Sequence, residues 1–282
     1  MRVLVSGLDG FTGHYVQSEL EEHGHQAIGL KADLTNPEAV KQEVQSIRPE
    51  AVIHLAAISF VGHGDVNAFY QVNLIGTRNL LESLAKIAEN LQCVLLASSA
   101  NVYGNSTDGI IDESVLPSPV NDYAVSKLAM EYMASLWMDK LPIVITRPFN
   151  YTGIGQSKSF LLPKIVDHFR RGEREIELGN IDVARDFSDV RMVATAYRRL
   201  IEKKVTGELF NVCSGVAYSL SDVLEMMADI SGYAINVRVN PEFVRANEVK
   251  RLAGNGEKLA YHIGKLGIIP LRSTLEWMYS AD

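Results

Sequence analysis

The chain has 282 residues, 47% of them hydrophobic, enough to bury a substantial core as one large domain or two smaller ones. Its formal net charge of −7 excludes a general nucleic-acid surface, which needs clustered Lys and Arg to displace counterions, and "RRGERE" is too mixed to form one. The longest apolar runs, such as "RVLVSGL" and "CVLLASSA", fall far short of the roughly 20 residues of a bilayer span, and no basic-then-apolar leader opens the chain, so a cytoplasmic protein is expected.

"MRVLVSG" is a short β-branched run ending in glycine, and "FTGHYVQSELEEHG" follows with Tyr15, Val16 and Leu20 at helical spacing: a strand, a turn and a helix. The pattern repeats. "HQAIGL" reads as a strand, "PEAVKQEVQSI" as a helix, "AVIHLAA" as a strand and "NLIGTRNLLESLAKIAEN" as a long helix. "QCVLLASSA", "YAVSKLAMEYMASLWMDK" and "PIVITRPFN" continue as strand, helix and strand. Such alternation predicts right-handed crossovers and a parallel sheet covered on both faces, a doubly wound α/β fold.

Beyond residue 155 the alternation loosens. The helix "SFLLPKIVDHFRRG" and the polar "NIDVARDFSDV" precede the helix "MVATAYRRLIEKK" and the strand "ELFNVCS", which return to the sheet. The helix "SLSDVLEMMADISG", the strand "INVRVN" and the charged "VRANEVKRLAGNGEKL" come after. A second, smaller α/β lobe built from discontinuous segments is therefore predicted, over 156–186 and 218–269, leaving 1–155, 187–217 and 270–282 to a dinucleotide-binding domain. Cys93 and Cys213 lie in apolar strand-like stretches and read as buried reduced thiols. The seven histidines have no metal-ligand spacing, so no metal site is expected.

"GLDGFTG" places Gly7, Gly10 and Gly13, with Phe11 and Thr12, where the first strand becomes the first helix. A tight turn, close approach of a pyrophosphate and the open N–H groups of a helix N-terminus all favour glycine there. At the end of the second strand, "GLKADL" has Leu30 and Lys31 where an NAD-preferring site carries an acid for the adenosine ribose. Lys31 facing a 2′-phosphate points to NADPH, with NADH as the alternative. Asp33 is placed to meet the adenine edge.

In "NDYAVSKLAME", Tyr123 and Lys127 stand four apart and share one face of a helix. A free tyrosine has a pKa near 10, and a neighbouring ammonium is expected to lower it and make the phenol a usable acid. "ASSANVYG" ends the preceding strand and delivers Ser98 and Ser99 to the carboxyl edge of the sheet, where ligands of such sheets bind. A hydroxyl, a phenol and an ammonium converging there can bind a carbonyl and protonate it during hydride transfer.

The glycine turn, "HLAA", "NLIGT", "SSANVYG", "YAVSK" and "RPFN" together resemble the extended short-chain dehydrogenase/reductase family that acts on nucleotide sugars on a Rossmann domain, and the match runs nearly end to end. The resemblance implies that Ser99 holds the catalytic hydroxyl, Tyr123 the acid/base and Lys127 the nicotinamide ribose. It adds Leu34, Leu55, Ala56 and Ala57 to the cofactor-binding set. Sugar 4,6-dehydratases of the family carry an acid two positions after the catalytic Ser or Thr. Here that residue is Asn101, an amide, which leaves 4-keto reduction or 4-epimerisation and places Asn101 beside the substrate.

"RPFNYTGIGQ", "GNIDVARDFSDV" and "FNVCSG" resemble bacterial GDP-6-deoxy-4-keto-D-mannose reductases and the neighbouring GDP-mannose 4,6-dehydratases. This implies a GDP-linked 4-keto-6-deoxy sugar in the lobe, with Asn150 near the diphosphate, Lys164 near the guanine, Arg185 and Arg245 on the phosphates and Glu248 on the ribose. A local Arg185–Asp186 ion pair is the surface alternative. A Gly-Asp pair common in the family reads Gly254-Asn255 here, which puts the local capping in question. The resemblance also implies a homodimer formed through the helices at 73–88 and 123–138, which carry Leu128, Met133, Leu136 and Trp137.

Overall fold

The computed structural model describes residues 1–59, 64–104, 109–181, 183–243 and 251–281. Along the first part of the chain run β1 (Arg2–Ser6), α1 (Phe11–Glu22), β2 (Gln26–Leu30), α2 (Pro37–Ile47), β3 (Ala51–His54) and α3 (Val66–Phe69). A π-helical segment (Tyr70–Gly76) leads into α4 (Thr77–Ala85), then β4 (Cys93–Ala97), β5 (Gly109–Ile111), α5 (Asp122–Ser135), β6 (Ile143–Pro148) and β7 (Asn150–Thr152). The remainder comprises α6 (Leu161–Arg170), β8 (Glu175–Leu178), β9 (Ala184–Asp189), α7 (Val190–Glu202), β10 (Glu208–Val212) and β11 (Ala217–Ser219). It ends with α8 (Leu220–Ser231), β12 (Asn236–Val239), β13 (Arg251–Gly254), α9 (Glu257–Ile263) and α10 (Leu271–Tyr279).

Six strands pair in parallel in the order β10-β6-β4-β3-β1-β2. Their side chains alternate between two helical layers. Val3 and Val5 pack with Val16 and Leu20 of α1 and with α7, while Leu4 turns to Val40 and Val44 of α2 and Leu80 and Leu81 of α4. Burial on both faces explains why these strands read as unbroken apolar runs. The predicted doubly wound sheet is the one observed.

The chain leaves β1 on one side for β2 and returns on the other for β3, so a crevice opens at the carboxyl edge between the loops after β1 and β3. Gly7 sits there at φ +75, with space for a Cβ closed by the Ala56 nitrogen at 3.0 Å. A residue without a Cβ is what lets the turn pass this close to the β3 loop.

A second core gathers Ile165 and Phe169 of α6, Val223 and Met227 of α8 and Leu275 of α10 against the β8–β12 pair. Beside it lies a small sheet, β11-β9-β13-β5, with β7 along β9. The polar "NIDVARDFSDV" contains β9, whose buried Asp186 accepts hydrogen bonds from the Ser214 N–H (2.9 Å) and hydroxyl (2.6 Å), the Gly215 N–H (2.8 Å) and the Gly254 N–H (3.2 Å). This polar strand can be buried because the Asp186 and Asp189 carboxylates both find donors, although the Ser188 hydroxyl between them has no partner among the described residues.

The tail packs otherwise than the predicted boundaries. Leu259 and Ile263 of α9, inside the 218–269 segment assigned to the lobe, join the core under the large sheet, whereas Leu271, Leu275 and Met278 of α10, assigned to the sheet domain, pack with α6 and α8. Asn255, the position expected to hold Asp, makes a local turn ahead of α9, its side-chain oxygen accepting from the Glu257 N–H at 2.8 Å, while the helix itself has Gly256 at its N-cap and no side-chain cap. Both thiols are buried, and burial pushes Cys93 up to about 12 and Cys213 up as well, so neither is a thiolate at neutral pH. Among the described residues no helix is long and apolar enough to cross a membrane.

A Cβ on Gly13 would lie 2.2 Å from the carbonyl oxygens of both Gly7 and Leu8. Gly13→Ala is therefore expected to push α1 off the turn and cost about 1–3 kcal/mol in a urea titration. Unchanged stability would mean that the helix can shift freely.

Candidate active site

The glycine turn is a cradle with one open side. Helix α1 has Gly10 at its N-cap and no capping side chain, so its first-turn N–H groups keep the geometry that suits a pyrophosphate. The Thr12 hydroxyl hydrogen-bonds the Tyr151 hydroxyl at 2.9 Å, and the Phe11 ring stacks on Tyr151 at 6.2 Å between centroids. These contacts tie the cradle to β7. On the facing loop, the Leu55 and Ala56 N–H groups each donate to the Ser6 hydroxyl at 3.1 Å, while Ala57 continues the same loop.

A chain of buried bonds fixes that loop. Thr77 donates to the Asn73 carbonyl (2.7 Å), so it must accept from His54 Nε2 (2.8 Å), which leaves Nδ1 to accept from Ser6 (2.6 Å). His54 is neutral. Burial, and then the Lys127 charge, push its pKa down to about 3. The Asn73 amide donates to the Ile58 carbonyl (3.1 Å) and to Ser126 on α5 (3.0 Å), joining the loop after β3 to the helix that carries Tyr123 and Lys127.

After β2, the Lys31 and Ala32 N–H groups both donate to the Glu43 carboxylate of α2, at 2.9 and 2.6 Å. Asp33 is exposed and accepts from the Thr35 N–H (2.9 Å) and hydroxyl (2.8 Å), bonds that hold its carboxyl below the ordinary range. Its carboxylate thus forms a local turn. Leu34 is buried, and its carbonyl accepts from the Asn79 amide at 2.9 Å.

Ser99 follows β4 in extended backbone, and its hydroxyl accepts from the Asn101 N–H (3.1 Å) and side-chain amide (3.2 Å). Asn101 thereby orients Ser99. Tyr123 and Lys127 lie one turn apart on α5, 7% and 4% exposed, with Asn121 capping the helix through the Ala124 N–H at 2.9 Å. Burial pushes the Tyr123 phenol up to about 12, against which a hydrogen bond from Ser99 works. The expected lowering by Lys127 is not what governs the phenol here, because the ammonium is turned to the Ala97 carbonyl at 2.8 Å. A phenol in that range stays protonated at neutral pH, which suits it to give a proton.

Burial pulls Lys127 down to about 8, and the charge of Glu131 opposes this. Glu131 stands a further turn along the same face of α5. Its carboxylate accepts from Ser98 (2.5 Å) and from Arg147 through Nε (2.9 Å) and Nη2 (2.6 Å). Arg147 in turn lies 4.7 Å over the Tyr103 ring, whose hydroxyl donates to Asn211 at 2.7 Å. Sequence reasoning missed Glu131, although its spacing after Lys127 was legible, and missed Tyr151 and the Ser6–His54–Thr77–Asn73 chain, which only the fold assembles.

Of the predicted substrate residues, Asn150 and Arg185 come together on the paired strands β7 and β9, with the Asn150 amide on the Asp186 carbonyl at 3.2 Å. Arg185 donates to the Ala184 carbonyl at 2.9 Å, and the Asp186 carboxylate points instead at Ser214, Gly215 and Gly254, so the local ion pair is not formed. Lys164 stands on α6, its ammonium on the Glu177 carbonyl at 2.9 Å. Arg245 and Glu248 lie outside the described residues.

Residues 3–213 match the NAD dependent epimerase/dehydratase family. The chain belongs to that family. It is 35% identical over 285 residues to the GDP-6-deoxy-D-talose 4-dehydrogenase of Aggregatibacter actinomycetemcomitans, covering 99% of this chain and 97% of the relative. It is 33% identical over 295 residues to the GDP-6-deoxy-D-mannose reductase of Pseudomonas aeruginosa, covering 99% and 96%. Two solved structures superpose over 99% of the chain. One, from Burkholderia cenocepacia J2315 and provisionally named an epimerase, gives a TM-score of 0.94 at 50% identity over 96% of its length. The other, RMD from Pseudomonas aeruginosa complexed with NADPH, gives 0.89 at 31% over 98%. Family and relatives make this chain an NAD(P)-dependent oxidoreductase of the extended short-chain type.

The depressed His54 pKa has a consequence for stability. Between about 3 and its ordinary value near 6.5 the unfolded chain binds a proton that the native state refuses, so stability falls as pH drops through that window, by up to about 1.4 kcal/mol per pH unit. His54→Asn is expected to flatten this slope in denaturant titrations between pH 4 and 7. An unaltered slope would show that other groups carry it.

Proposed function

We propose that this protein reduces the C4 keto group of GDP-4-keto-6-deoxy-D-mannose with NADPH or NADH, giving GDP-D-rhamnose or its C4 epimer GDP-6-deoxy-D-talose. The observation that carries this reading is the buried Ser99–Tyr123–Lys127 set with Tyr123 in its acid form, at the carboxyl edge beside the glycine cradle. The names of the two curated relatives support the GDP-linked 6-deoxy sugar, and the NADPH complex of RMD supports the cofactor.

The cradle's fit is physical: glycines where a Cβ would strike backbone, a helix N-terminus without a capping side chain and a crevice at the strand-order reversal. A reduced nicotinamide bound there supplies hydride. Ser99 donates to the carbonyl oxygen, Tyr123 gives its proton to the oxygen as charge develops, and Lys127 keeps positive charge beside it. Gly7, Gly10, Phe11, Thr12, Gly13, Lys31, Leu34, Leu55, Ala56 and Ala57 would line the dinucleotide. Asn101, Asn150, Lys164 and Arg185 would face the GDP-sugar, together with Arg245 and Glu248.

Val125, Tyr132 and Leu136 are exposed along one face of α5 and its C-terminal turn, with Ile75 on the preceding helical segment. This apolar face supports a homodimer. Leu136→Glu is expected to give monomers by light scattering, and an unchanged mass would remove this face from the interface.

A second reading, nucleotide-sugar 4-epimerisation, draws on the provisional name of the Burkholderia protein. It differs in retaining bound NAD through purification, whereas a reductase exchanges its cofactor each cycle. Mixing the protein with NADPH and GDP-4-keto-6-deoxy-D-mannose is expected to consume the two one for one, with NMR of the product deciding rhamnose or talose. No consumption, with NAD recovered from the protein, would favour epimerisation.

The reduction rate is expected to fall as pH rises through about 8, because Lys127 loses its charge there while Tyr123 keeps its proton. Tyr123→Phe is expected to abolish turnover while binding cofactor normally. A fully active variant would contradict the assignment.

A further inference from the structure

We infer that Glu43 sets the discrimination between NADH and NADPH, by occupying with a carboxylate the backbone donors at the end of β2 where the adenosine ribose lies. This rests on the dinucleotide part of the proposed function and is independent of the sugar.

In doubly wound sheets of this kind the residue that meets the ribose 2′ position comes about 20 residues after the glycines, at the end of the second strand. Here that place is Leu30-Lys31-Ala32, which contains no acid. The acid arrives from α2 instead. Glu43 spreads its two oxygens over two successive N–H groups, those of Lys31 at 2.9 Å and Ala32 at 2.6 Å. The helix that carries it is held firmly: Asn36 caps it through the Ala39 N–H at 3.1 Å, and Val40 and Val44, on either side of Glu43, are fully buried. The half-buried carboxylate is therefore a fixed group.

The consequences for the two cofactors are opposite. Each carboxylate oxygen has a further lone pair, so Glu43 can accept from a ribose 2′-hydroxyl without giving up its backbone bonds. A 2′-phosphate cannot donate to it. It must lie beside a like charge, or displace the carboxylate from both N–H groups, and the exposed Lys31 is the cation at this strand end that favours it. Lys31 and Glu43 thus pull in opposite directions at one position. Lys31 alone predicts NADPH; the pair predicts a protein that also takes NADH, with Glu43 responsible for the latter.

The test is direct binding, without substrate or turnover: titration of the purified protein with NADPH and with NADH, followed by nicotinamide fluorescence, in wild type, Glu43→Gln and Lys31→Ala. Glu43→Gln is expected to raise the NADPH-to-NADH affinity ratio about tenfold, the size of one like-charge contact removed at a partly exposed site. Lys31→Ala, which leaves Glu43 unopposed, is expected to lower the ratio by a similar factor and to bind NADH better than NADPH. An unchanged ratio in a Glu43→Gln protein that still binds NADH would overturn the inference, reducing Glu43 to a cap on the strand end. Should that variant fail to fold, NADPH binding Lys31→Ala as well as NADH does would overturn it equally. Wild-type protein that binds neither dinucleotide would overturn both this inference and the proposed function, whereas tight binding without sugar reduction would count against the function alone.

Discussion

An ammonium buried between β4 and α5 constrains the rest of the site. Taking the charge of Lys127 out of water is costly, and burial, opposed by the charge of Glu131, pulls its pKa down to about 8. Two features keep it charged at neutral pH: the Ala97 carbonyl at 2.8 Å and the carboxylate of Glu131 one turn along the helix. Glu131 would itself be an unpaired buried charge without Arg147, which grips it through two nitrogens from β6. Because Ser98 donates to the same carboxylate, the position of α5 relative to β4 also places the next residue, Ser99. One electrostatic requirement therefore aligns the hydroxyl, the phenol and the ammonium.

A comparable arrangement holds the loop after β3. Ser6, His54, Thr77 and Asn73 form a directed chain of hydrogen bonds from the end of β1 to the π-helical segment, and Asn73 extends it to Ser126 on α5. A π segment is strained relative to a regular helix, and here it turns Asn73 into the protein where three of its side-chain bonds are made. Asp186 does comparable service for the lobe, drawing β9, the Ser214–Gly215 turn and β13 together. These buried polar groups are joined into networks that connect separate elements, so removing one member is expected to disturb several.

Much of this was legible in the sequence where the determinants are local. Strands buried on both faces announce themselves as apolar runs, and the stretch "PEAVKQEVQSI" coincides with α2 at both ends, Pro37 and Ile47. Tyr123 and Lys127 could be paired from four-residue spacing alone. What escaped depends on contacts made by the fold. Strand β9 is polar because its carboxylate is buried among donors from distant loops, and α9 and α10 choose different cores for reasons no local pattern contains. The grip of Glu43 on β2 joins two elements whose side-chain spacing carries no signature, and the high pKa of Tyr123 reflects a burial that no sequence reading could supply.

Hydride delivered to C4 of a keto sugar, with the proton from Tyr123, would leave an isotopic record in the product. The most direct measurement uses NADPH deuterated at the transferring position, with GDP-4-keto-6-deoxy-D-mannose as acceptor and NMR of the sugar ring. One deuterium at C4 of the product and an equal amount of released oxidised cofactor are expected. A product without deuterium at C4, or an interconversion of two nucleotide sugars in which no added cofactor is consumed, would contradict hydride delivery to C4.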